Sequence, residues 1–310
     1  MYVNISGLTL KSRPFLFNLI QDNSMNTILT IAIQKSGRLY EDSIGLLKEC
    51  GIHFNNGSKQ LKATADNFPL EVYFFRDDDI PQYVFDNIAD VGIVGENVLL
   101  EKNKEVNITH RLGFGKCRLS IAVPRNSAYT SPQDIGGLKI ATSYPFLLKK
   151  YLHSIGTSAE IHEISGSVEI APGIGLADAI CDLVSSGSTL LTNGLKEVET
   201  ILTSEAVLVS NPGLNAEKLA ILDKLLLRIK AVETAANSKY ILLNAPNHQL
   251  KNITAILPGM KSPTIVPLAE EGWSSVQSVV NENDFWEVIE KLKQLDAQGI
   301  LVVPIEKMIL

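Results

Sequence analysis

The architecture is most evident in the stretch Thr27-Ile-Leu-Thr-Ile-Ala-Ile-Gln-Lys-Ser-Gly-Arg38. Its first seven residues form an apolar run of strand length, and the next five form a polar loop. Residues 39–50 then place apolar side chains at helical spacing, and Gly51 ends the predicted helix. A buried strand followed by a loop and an amphipathic helix is the repeating unit of a parallel α/β sheet.

The same order of elements recurs along the next 130 or so residues, which predicts an α/β fold with mainly parallel sheets. The predicted strands cover residues 70–75, 90–95, 117–123, 138–142 and 159–164, and the predicted helices cover residues 82–88, 144–155 and 176–180, with a further helix from Leu190 onward. A turn-rich passage at residues 124–137 indicates the start of a second lobe. Two such lobes form a cleft at the carboxyl ends of their strands, where small anionic ligands bind.

The pattern changes after a long predicted helix at residues 216–236. Residues 239–305 are predicted to form a strand, a helix, two strands, a helix and a final strand. This β-α-β-β-α-β order is the ferredoxin-like arrangement. Because it begins close to residue 237, we expect it to be a separate domain.

The composition is that of an ordinary globular protein. The chain has 310 residues and a formal net charge of −6, which argues for two or three domains and against binding along a nucleic acid backbone. No apolar run approaches the roughly 20 residues that a membrane-spanning helix needs. Three widely spaced cysteines, Cys50, Cys117 and Cys181, predict neither a disulfide framework nor a zinc site, so a reducing cytoplasmic location is the simplest interpretation.

The first 24 residues carry Lys11 and Arg13 ahead of a short apolar stretch that Asn18 interrupts. No small-residue cleavage site follows, so we do not expect an export signal. We interpret residues 1–24 as a non-structural extension. A genuine additional strand or arm is the alternative.

The strongest local signal for function is Ala179-Ile-Cys-Asp-Leu-Val-Ser-Ser-Gly-Ser-Thr-Leu190. A strand here presents Asp182, and a loop rich in hydroxyl groups then opens a helix. Backbone N–H groups between Ser185 and Thr189 would surround a phosphate, and Gly187 would let the backbone approach it closely. Asp182 would then accept hydrogen bonds from the hydroxyls of an attached sugar. A generic turn with a helix N-cap is the alternative, but the acid before the loop favours a ribose phosphate.

Other polar groups also lie next to predicted strands. The loop Gln34-Lys-Ser-Gly-Arg38 holds two cations and an amide, Arg76-Asp-Asp-Asp79 follows the next strand, and Asp90 and Glu96 flank the one after it. Each group also has an alternative as solvated surface charge. Their common location at strand ends favours a site, in which Asp90 and Glu96 could hold an adenine, a ribose or a hydrated divalent cation. The segment at residues 173–178 lacks the third glycine of a dinucleotide fingerprint, so we expect neither nicotinamide nor flavin binding.

Several long motifs, in this order, resemble the ATP phosphoribosyltransferase family, which catalyses the first step of histidine biosynthesis. They are Gln34-Lys-Ser-Gly-Arg38, Arg76-Asp-Asp-Asp-Ile-Pro81, Ala141-Thr-Ser-Tyr-Pro145, Gly166-Ser-Val-Glu169 and residues 175–189. Ser262-Pro-Thr264 and Pro304-Ile-Glu-Lys-Met308 resemble the long form of the family. The resemblance, which runs from about residue 27 to the C-terminus, implies a two-lobed, periplasmic-binding-protein-like catalytic core and a C-terminal ferredoxin-like (βαββαβ) regulatory domain.

The resemblance also implies domain boundaries and a reaction. Lobe I would cover residues 25–122 with a return segment near 203–224, lobe II residues 123–202, and the regulatory domain residues 225–310. ATP would condense with phosphoribosyl pyrophosphate, in the presence of Mg²⁺, to give N1-(5-phospho-β-D-ribosyl)-ATP and pyrophosphate. Adenine N1 attacks the anomeric carbon, so positioning and charge stabilisation suffice and no residue is assigned as an enzyme nucleophile.

Three sets of residues follow from the resemblance, position by position. For phosphoribosyl pyrophosphate they are Tyr144, Glu169, Asp182, Leu183, Val184, Ser185, Ser186, Gly187, Ser188 and Thr189. For ATP they are Gln34, Lys35, Gly37, Arg38, Arg76, Asp90 and Glu96, of which Lys35, Arg38 and Arg76 would neutralise phosphate charge. For L-histidine, an allosteric inhibitor of the long form, they are Asn244, Met260, Ser262 and Thr264. The chain has Asn244 where an acid is expected to hold the ligand's α-amino group. The resemblance further implies homo-oligomers, as dimers and hexamers, and leaves the metal ligands unknown.

A two-lobed solute-binding protein is the main alternative, because it shares the cleft architecture. It would need an export signal, which we do not find in residues 1–24. An effector-sensing regulator would need a DNA-reading helix-turn-helix and a basic face. A phosphoribosyltransferase for another base would share the ribose-phosphate loop but not residues 34–38 or the final domain.

Overall fold

The structure is a computed structural model that describes residues 27–54, 61–257 and 259–310. The predicted extension at residues 1–24 lies outside this part of the chain. Within the described residues, no helix combines the length and the apolar character needed to cross a membrane.

The described residues form three β-sheets with helices packed against them. The first sheet contains β1 (Leu29–Gln34), β2 (Lys62–Thr64), β3 (Leu70–Phe75), β4 (Val91–Gly95), β5 (Asn107–Arg111) and β11 (Ala206–Ser210). The second contains β6 (Cys117–Pro124), β7 (Lys139–Thr142), β8 (Glu160–Glu163), β9 (Ala179–Val184) and β10 (Leu195–Ser204). The third contains β12 (Ser238–Pro246), β13 (Thr264–Pro267), β14 (Trp273–Asn281) and β15 (Gln298–Pro304). The helices are α1 (Arg38–Glu49), α2 (Ile80–Phe85), α3 (Glu96–Lys102), α4 (Pro145–Ser154), α5 (Ser188–Thr192), α6 (Ala216–Ala236), α7 (Leu250–Ile256) and α8 (Phe285–Gln294).

Lobe I is built on the first sheet, in the order β2-β3-β1-β4-β11-β5. Strands β3, β1 and β4 are parallel, whereas β2, β11 and β5 join them through antiparallel pairs. Strand β1 is apolar on both faces because both are covered: Ile31 and Ile33 pack in the core with α1 and α6, and Ala32 packs in the core with α2 and α3. The loops after the three parallel strands therefore meet at one edge of the sheet, where the cleft opens.

Lobe II is built on the second sheet, in the order β10-β6-β9-β7-β8. Strands β9, β7 and β8 are parallel, and β6 pairs antiparallel with both β9 and β10. Both catalytic sheets are thus mixed, whereas the sequence predicted mainly parallel ones. Apart from β2, which forms a short antiparallel pair with β3 at the edge of the first sheet, the antiparallel strands β5, β6, β10 and β11 are those next to the passages between the lobes.

The chain passes between the lobes at residues 112–116 and again at Glu205, because β5 and β11 belong to the first sheet and β6 and β10 to the second. The boundary predicted at residue 122 falls inside β6, so the structure moves the start of lobe II to about residue 117. The predicted end of lobe II at residue 202 falls inside β10, which continues to Ser204.

Two predicted helices in lobe II are wrong. Residues 176–180 do not form a helix. Ala179 and Ile180 begin β9, and both are fully buried, Ala179 in the core on one face of the second sheet and Ile180 in the core on the other. A short apolar run of this kind cannot be assigned to helix or strand from its periodicity. The helix from Leu190 onward is only the short α5, after which the chain forms β10.

The C-terminal domain has the predicted ferredoxin-like fold. Its four strands are antiparallel in the order β13-β14-β12-β15, and α7 and α8 pack on one face of the sheet. Helix α6 leads into β12 and has the bounds that the sequence predicted, Ala216–Ala236. The proposed domain boundary at residue 225 falls within this continuous helix.

Candidate functional site

A cleft of about 280 Å³ lies between the lobes, beside the two crossing segments. Lobe I contributes Gln34, which ends β1, Arg38, which begins α1, and Asp77, which follows β3. Lobe II contributes Tyr144 and Leu183. The crossing segments contribute a floor that includes Gly115, Lys116, Cys117 and Ala206. The cleft thus brings together residues from both lobes, as the strand order predicts.

The predicted phosphate loop lines a second cavity of about 290 Å³. This cavity is also lined by Glu169 and Asp182, and it shares Leu183 and Ser185 with the first cleft. The two cavities are therefore neighbours at the carboxyl end of β9. A ligand that filled both would have one end on the loop and the other beside Gln34 and Arg38.

The loop itself is a tight bend between β9 and α5. Gly187 has φ +79°, a left-handed conformation that glycine adopts without steric cost. The hydroxyls of Ser186 and Ser188 lie 3.0 Å apart, and both side chains are exposed. The backbone N–H groups of Ser186 and Gly187 donate to no residue that the structure describes. Both N–H groups could therefore donate to an anion, and phosphate binding by this loop stays a prediction.

Asp182 and Glu169 face one another across this second cavity. Burial raises the pKa of the Asp182 carboxyl, and the negative charge of Glu169 raises it further, while an N–H···O bond from Leu183 at 2.8 Å opposes both effects. A buried carboxylate beside a second acid favours a ligand that brings hydroxyl donors or a cation to it. Glu169 reaches the cavity from a 3₁₀ turn whose preceding residue, Ser167, has φ +51°.

Tyr144 stands at the entry to α4 and connects the lobes. Its hydroxyl accepts a hydrogen bond from the side-chain amide of Asn97 at 3.0 Å, and Asn97 belongs to α3 of lobe I. Burial raises the pKa of the Tyr144 phenol far above its ordinary value, and the charges of Asp182 and Asp77 add to the effect while the bond from Asn97 opposes it. The phenol is therefore neutral at physiological pH.

The cations predicted for the ATP subsite all follow strands of lobe I. Arg38 lines the cleft at the start of α1, and Lys35 and Arg76 are exposed at the ends of β1 and β3. The N–H of Lys35 donates to the carbonyl of Phe75 at 2.8 Å, which holds the two loops side by side. Gly37, with φ +93°, makes the turn that separates the loop from the helix.

Glu96 lies at the carboxyl end of β4, but Arg111 holds both of its carboxylate oxygens, at 2.6 and 2.7 Å. The hydrogen bonds that Arg111 donates to Glu96 raise the pKa of its guanidinium. The two residues line a larger cavity of about 720 Å³, which reaches the phosphate loop at Ser185 and also contains Lys116. Glu96 is thus near the site but already paired.

Asp90 was predicted to bind ATP, but the structure does not place it in the cleft. It precedes β4 and so lies at the amino end of the strand, about five residues or ~16 Å from the edge where the cleft opens. Its side chain is 2% exposed and binds Lys218 at 2.7 Å and the N–H and hydroxyl of Thr30 at 2.8 Å each. All of these partners belong to the protein, which indicates a structural role.

The residues predicted to bind L-histidine lie on or beside the third sheet, in the C-terminal domain. Asn244 pairs with Ser275 and Thr264 pairs with Gln277, so Asn244 and Thr264 share the face opposite α7 and α8. Strand β14 lies between them, which puts their backbones roughly 10 Å apart. Met260 and Ser262 are exposed in the segment before β13. Asn244 and Thr264 therefore share one face of the sheet, and Met260 and Ser262 lie in the segment that leads into it.

The sequence patterns gave no role to Asn97 and Lys116, which line the cleft, or to Ser204, which lines the larger cavity beside it. Asn97 and Ser204 are 107 positions apart, so no local pattern connects them. Asp77 belongs to the Arg76–Asp79 group that the sequence placed near the site, although no ligand was assigned to it, and Lys116 was not singled out. Among the described residues no group of three or more metal-ligating side chains of His, Cys, Asp and Glu occurs.

Comparisons with known proteins agree with this geometry. A family model described as ATP phosphoribosyltransferase matches residues 76–231, and one described as HisG, C-terminal domain, matches residues 235–307. The ATP phosphoribosyltransferase of Cytophaga hutchinsonii is 61% identical over 285 residues, which cover 92% of this chain and 100% of the relative. That of Parabacteroides distasonis is 57% identical over 282 residues, with 91% and 100% covered.

A solved structure, the ATP phosphoribosyl transferase (HisG:HisZ) complex from Thermotoga maritima, superposes with a TM-score of 0.57 at 29% identity. The match covers 66% of this chain and 99% of that one. Because the catalytic and C-terminal family models both match, and relatives are matched over their full length, the assignment rests on the whole described fold. The chain belongs to the ATP phosphoribosyltransferase family, in its long form with a C-terminal domain, and is a pentosyltransferase.

Proposed function

We propose that the two neighbouring cavities hold the two substrates of ATP phosphoribosyltransferase. Phosphoribosyl pyrophosphate lies in the cavity of the phosphate loop, and ATP lies beside Gln34 and Arg38. The observation that carries this proposal is that the cavities share Leu183 and Ser185. A ribose in one cavity and an adenine in the other can therefore approach each other closely enough to react.

The loop supplies donors for the 5-phosphate. These are the free N–H groups of Ser186 and Gly187 and the hydroxyls of Ser186, Ser188 and Thr189. Asp182 and Glu169 accept hydrogen bonds from the ribose hydroxyls, which offset the burial and, to a smaller extent, the charge of Glu169 that raise the pKa of Asp182. Their negative charge also stabilises the positive charge that develops on the ribose ring in the transition state.

The reaction is a displacement at the anomeric carbon. A lone pair on adenine N1 forms the new C–N bond while the bond to pyrophosphate breaks, and the pyrophosphate leaves with the electron pair. Arg38, Lys35 and Arg76 neutralise the phosphate charge on the lobe I side. Because the attacking group belongs to the substrate, the site needs no enzyme nucleophile.

Magnesium is the metal that the family resemblance implies. Carboxylate and hydroxyl oxygens are the ligands that it prefers, and Glu169 and Asp182 with the loop hydroxyls supply that set of donors. When bound, magnesium would neutralise part of the pyrophosphate charge. Glu169 and Asp182 are the residues that would hold it.

Regulation and assembly complete the proposal. L-histidine would bind the regulatory sheet on the face that carries Asn244 and Thr264, together with Met260 and Ser262, and lower activity from there. We further propose a homo-oligomer, as dimers and hexamers, in the cytoplasm. The described cysteines, Cys50, Cys117 and Cys181, are free thiols, in keeping with a reducing compartment.

The test measures binding and turnover with one pair of variants. Asp182→Asn should greatly weaken the binding of phosphoribosyl pyrophosphate and suppress the absorbance rise of N1-ribosylated adenine. Asp178→Asn is the control, because Asp178 lies just before β9, at its other end, and bonds only the N–H of Lys139. Unchanged affinity in Asp182→Asn, or no product from folded wild-type protein with ATP and Mg²⁺, would refute the proposal. Adding L-histidine to the same assay tests the inhibition.

A further inference from the structure

We propose that Asn97 is a positioning residue that directs the hydroxyl proton of Tyr144 into the substrate cleft. Tyr144 then donates a hydrogen bond to a phosphate oxygen of a bound substrate. The inference rests on the proposed function, since it takes the cleft to be the substrate site. We call Gly95, Asn97, Ser204 and Tyr144 the Asn97 relay.

The Asn97 relay joins three parts of the fold. Asn97 is in the first turn of α3 in lobe I, Ser204 ends β10 where the chain returns to lobe I, and Tyr144 precedes α4 in lobe II. Asn97 is 4% exposed and Ser204 is 5% exposed. Buried polar groups of this kind need hydrogen-bond partners, and each of these has them.

The hydrogen bonds fix the orientation of the Asn97 amide. The backbone N–H of Asn97 donates to Ser204 Oγ at 3.0 Å, and the Ser204 hydroxyl donates to Asn97 Oδ1 at 2.9 Å. The oxygen of the amide is therefore committed to Ser204. The remaining group, Nδ2, lies 3.0 Å from the Tyr144 hydroxyl and can only donate to it.

This orientation determines what Tyr144 can do. Its oxygen accepts from Asn97, so its own proton is not used in that bond. The phenol is neutral because burial keeps its pKa high, and Tyr144 lines the cleft between the lobes. A neutral hydroxyl with a free proton in a cleft that binds phosphates is a donor to an anionic oxygen.

Gly95 is independent support for the relay. Its backbone, at φ −65° and ψ 134°, is one that any residue adopts, so conformation does not require glycine here. A Cβ at this position would lie 2.4 Å from Asn97 Oδ1. The glycine thus reserves the space in which the amide is held.

The test uses a substitution that keeps the shape and removes the donor. Asn97→Asp replaces Nδ2 with an oxygen, which accepts the hydroxyl proton of Tyr144. The hydroxyl then no longer donates to a substrate in the cleft. We expect kcat/KM to fall roughly ten- to a hundredfold, the scale of one hydrogen bond to a charged group. Tyr144→Phe should cause a similar fall. The control is Asn103→Asp, which makes the same change at the exposed end of α3 and should leave activity unchanged.

The double variant separates a positioning role from a structural one. In a Tyr144→Phe background, Asn97→Asp should cause no further loss of kcat/KM, because both changes remove the same hydrogen bond. Independent, multiplying losses would overturn the proposal. So would full activity in Tyr144→Phe, which keeps the test decisive if Asn97→Asp does not fold. If the wild type, Asn97→Asp and Tyr144→Phe all turn over normally, the Asn97 relay is wrong and the proposed function stands. If the wild type binds neither substrate, both the relay and the proposed function are wrong.

Discussion

The ammonium nitrogen of Lys218 lies 2.7 Å from a carboxylate oxygen of Asp90, at the edge of lobe I farthest from the cleft. Lys218 comes from the first turn of α6, and Asp90 directly precedes β4, so the pair ties the long helix to the central sheet. The other oxygen of Asp90 accepts from the backbone and the hydroxyl of Thr30. The aspartate is therefore an anchor of the fold.

Removing this anchor should affect stability and not catalysis. Asp90→Ala leaves the Lys218 charge and two Thr30 donors without their acceptor, and we expect the free energy of unfolding to fall by about 2–4 kcal/mol. This is somewhat less than for a fully buried pair, because the Lys218 side chain is 29% exposed. Urea unfolding measures the change, with Asp223→Ala on the exposed face of α6 as the control. If Asp90→Ala lost substrate binding while its stability stayed unchanged, Asp90 would have a role in binding and not in the fold.

Glu101 forms a contact between the two lobes, and we expect its removal to change the distance between them. The carboxylate of Glu101 in α3 accepts from the N–H groups of Phe146 and Leu147, at 2.9 Å each, and so caps α4 of the other lobe. Glu101→Ala leaves those N–H groups unpaired at the positive end of the helix, which should cost about 1–2 kcal/mol. We expect a lower melting temperature and a larger radius of gyration in solution scattering. Glu105→Ala, an exposed acid just after the same helix, should change neither.

The conformation of the phosphate loop can be tested at its glycine. Gly187→Ala has room for a Cβ, whose nearest neighbour would be Val184 at 3.8 Å, but φ +79° is strained for alanine by about 1 kcal/mol. We expect weaker binding of phosphoribosyl pyrophosphate, measured by calorimetry. Gly137→Ala is a matched control, with φ +76°, open space and a position before β7 at the opposite end of the sheet. A similar loss of affinity in both variants would mean that the effect is general strain.

The repulsion at Asp182 predicts a stabilising substitution. Burial and Glu169 raise the pKa of the native carboxyl above its ordinary value of 3.8, so the native state is penalised whenever the group is ionised. This penalty is complete above the native pKa and disappears as the pH falls toward the unfolded value. Asp182→Asn should therefore unfold at higher temperature than the wild type at pH 7, with the difference shrinking at pH 4. An equal or lower melting temperature at pH 7 would show that the carboxylate is not strained.

Much of the fold follows from local patterns. Helix α6 and the regulatory strands were predictable because apolar spacing and flanking turn residues agree in each segment. Strand β10 was not, because its sequence begins Leu-Lys-Glu-Val-Glu-Thr, which carries few strand signals. Its carboxylates are satisfied by distant partners: Glu197 holds Arg118, and Glu199 bonds Tyr129 and Tyr151. Such contacts exist only after the chain has folded.

The binding roles of the predicted site residues stay predictions, but the structure shows which of these residues lie together. The phosphate loop is encoded in consecutive residues, and the structure places them in one cavity with Asp182. Asp90 was mistaken for a ligand because a residue before a strand and a residue after it look equivalent in sequence, although they lie at opposite edges of the sheet. Asn97 could not be found, since its role depends on Ser204 and Tyr144, which come from other elements.

Helix α6 has a mechanical consequence. Its 21 residues make a rod of roughly 30 Å, and Leu222, Leu225 and Ile229 are embedded in the core of lobe I while its end runs directly into β12. The tail of the chain returns to the same rod, where the N–H of Met308 bonds the carbonyl of Ala231. The C-terminal domain is therefore fixed to lobe I by this helix and by the tail of the chain. If the two lobes move relative to each other, the C-terminal domain stays with lobe I, and lobe II turns about the crossing segments at residues 112–116 and at Glu205.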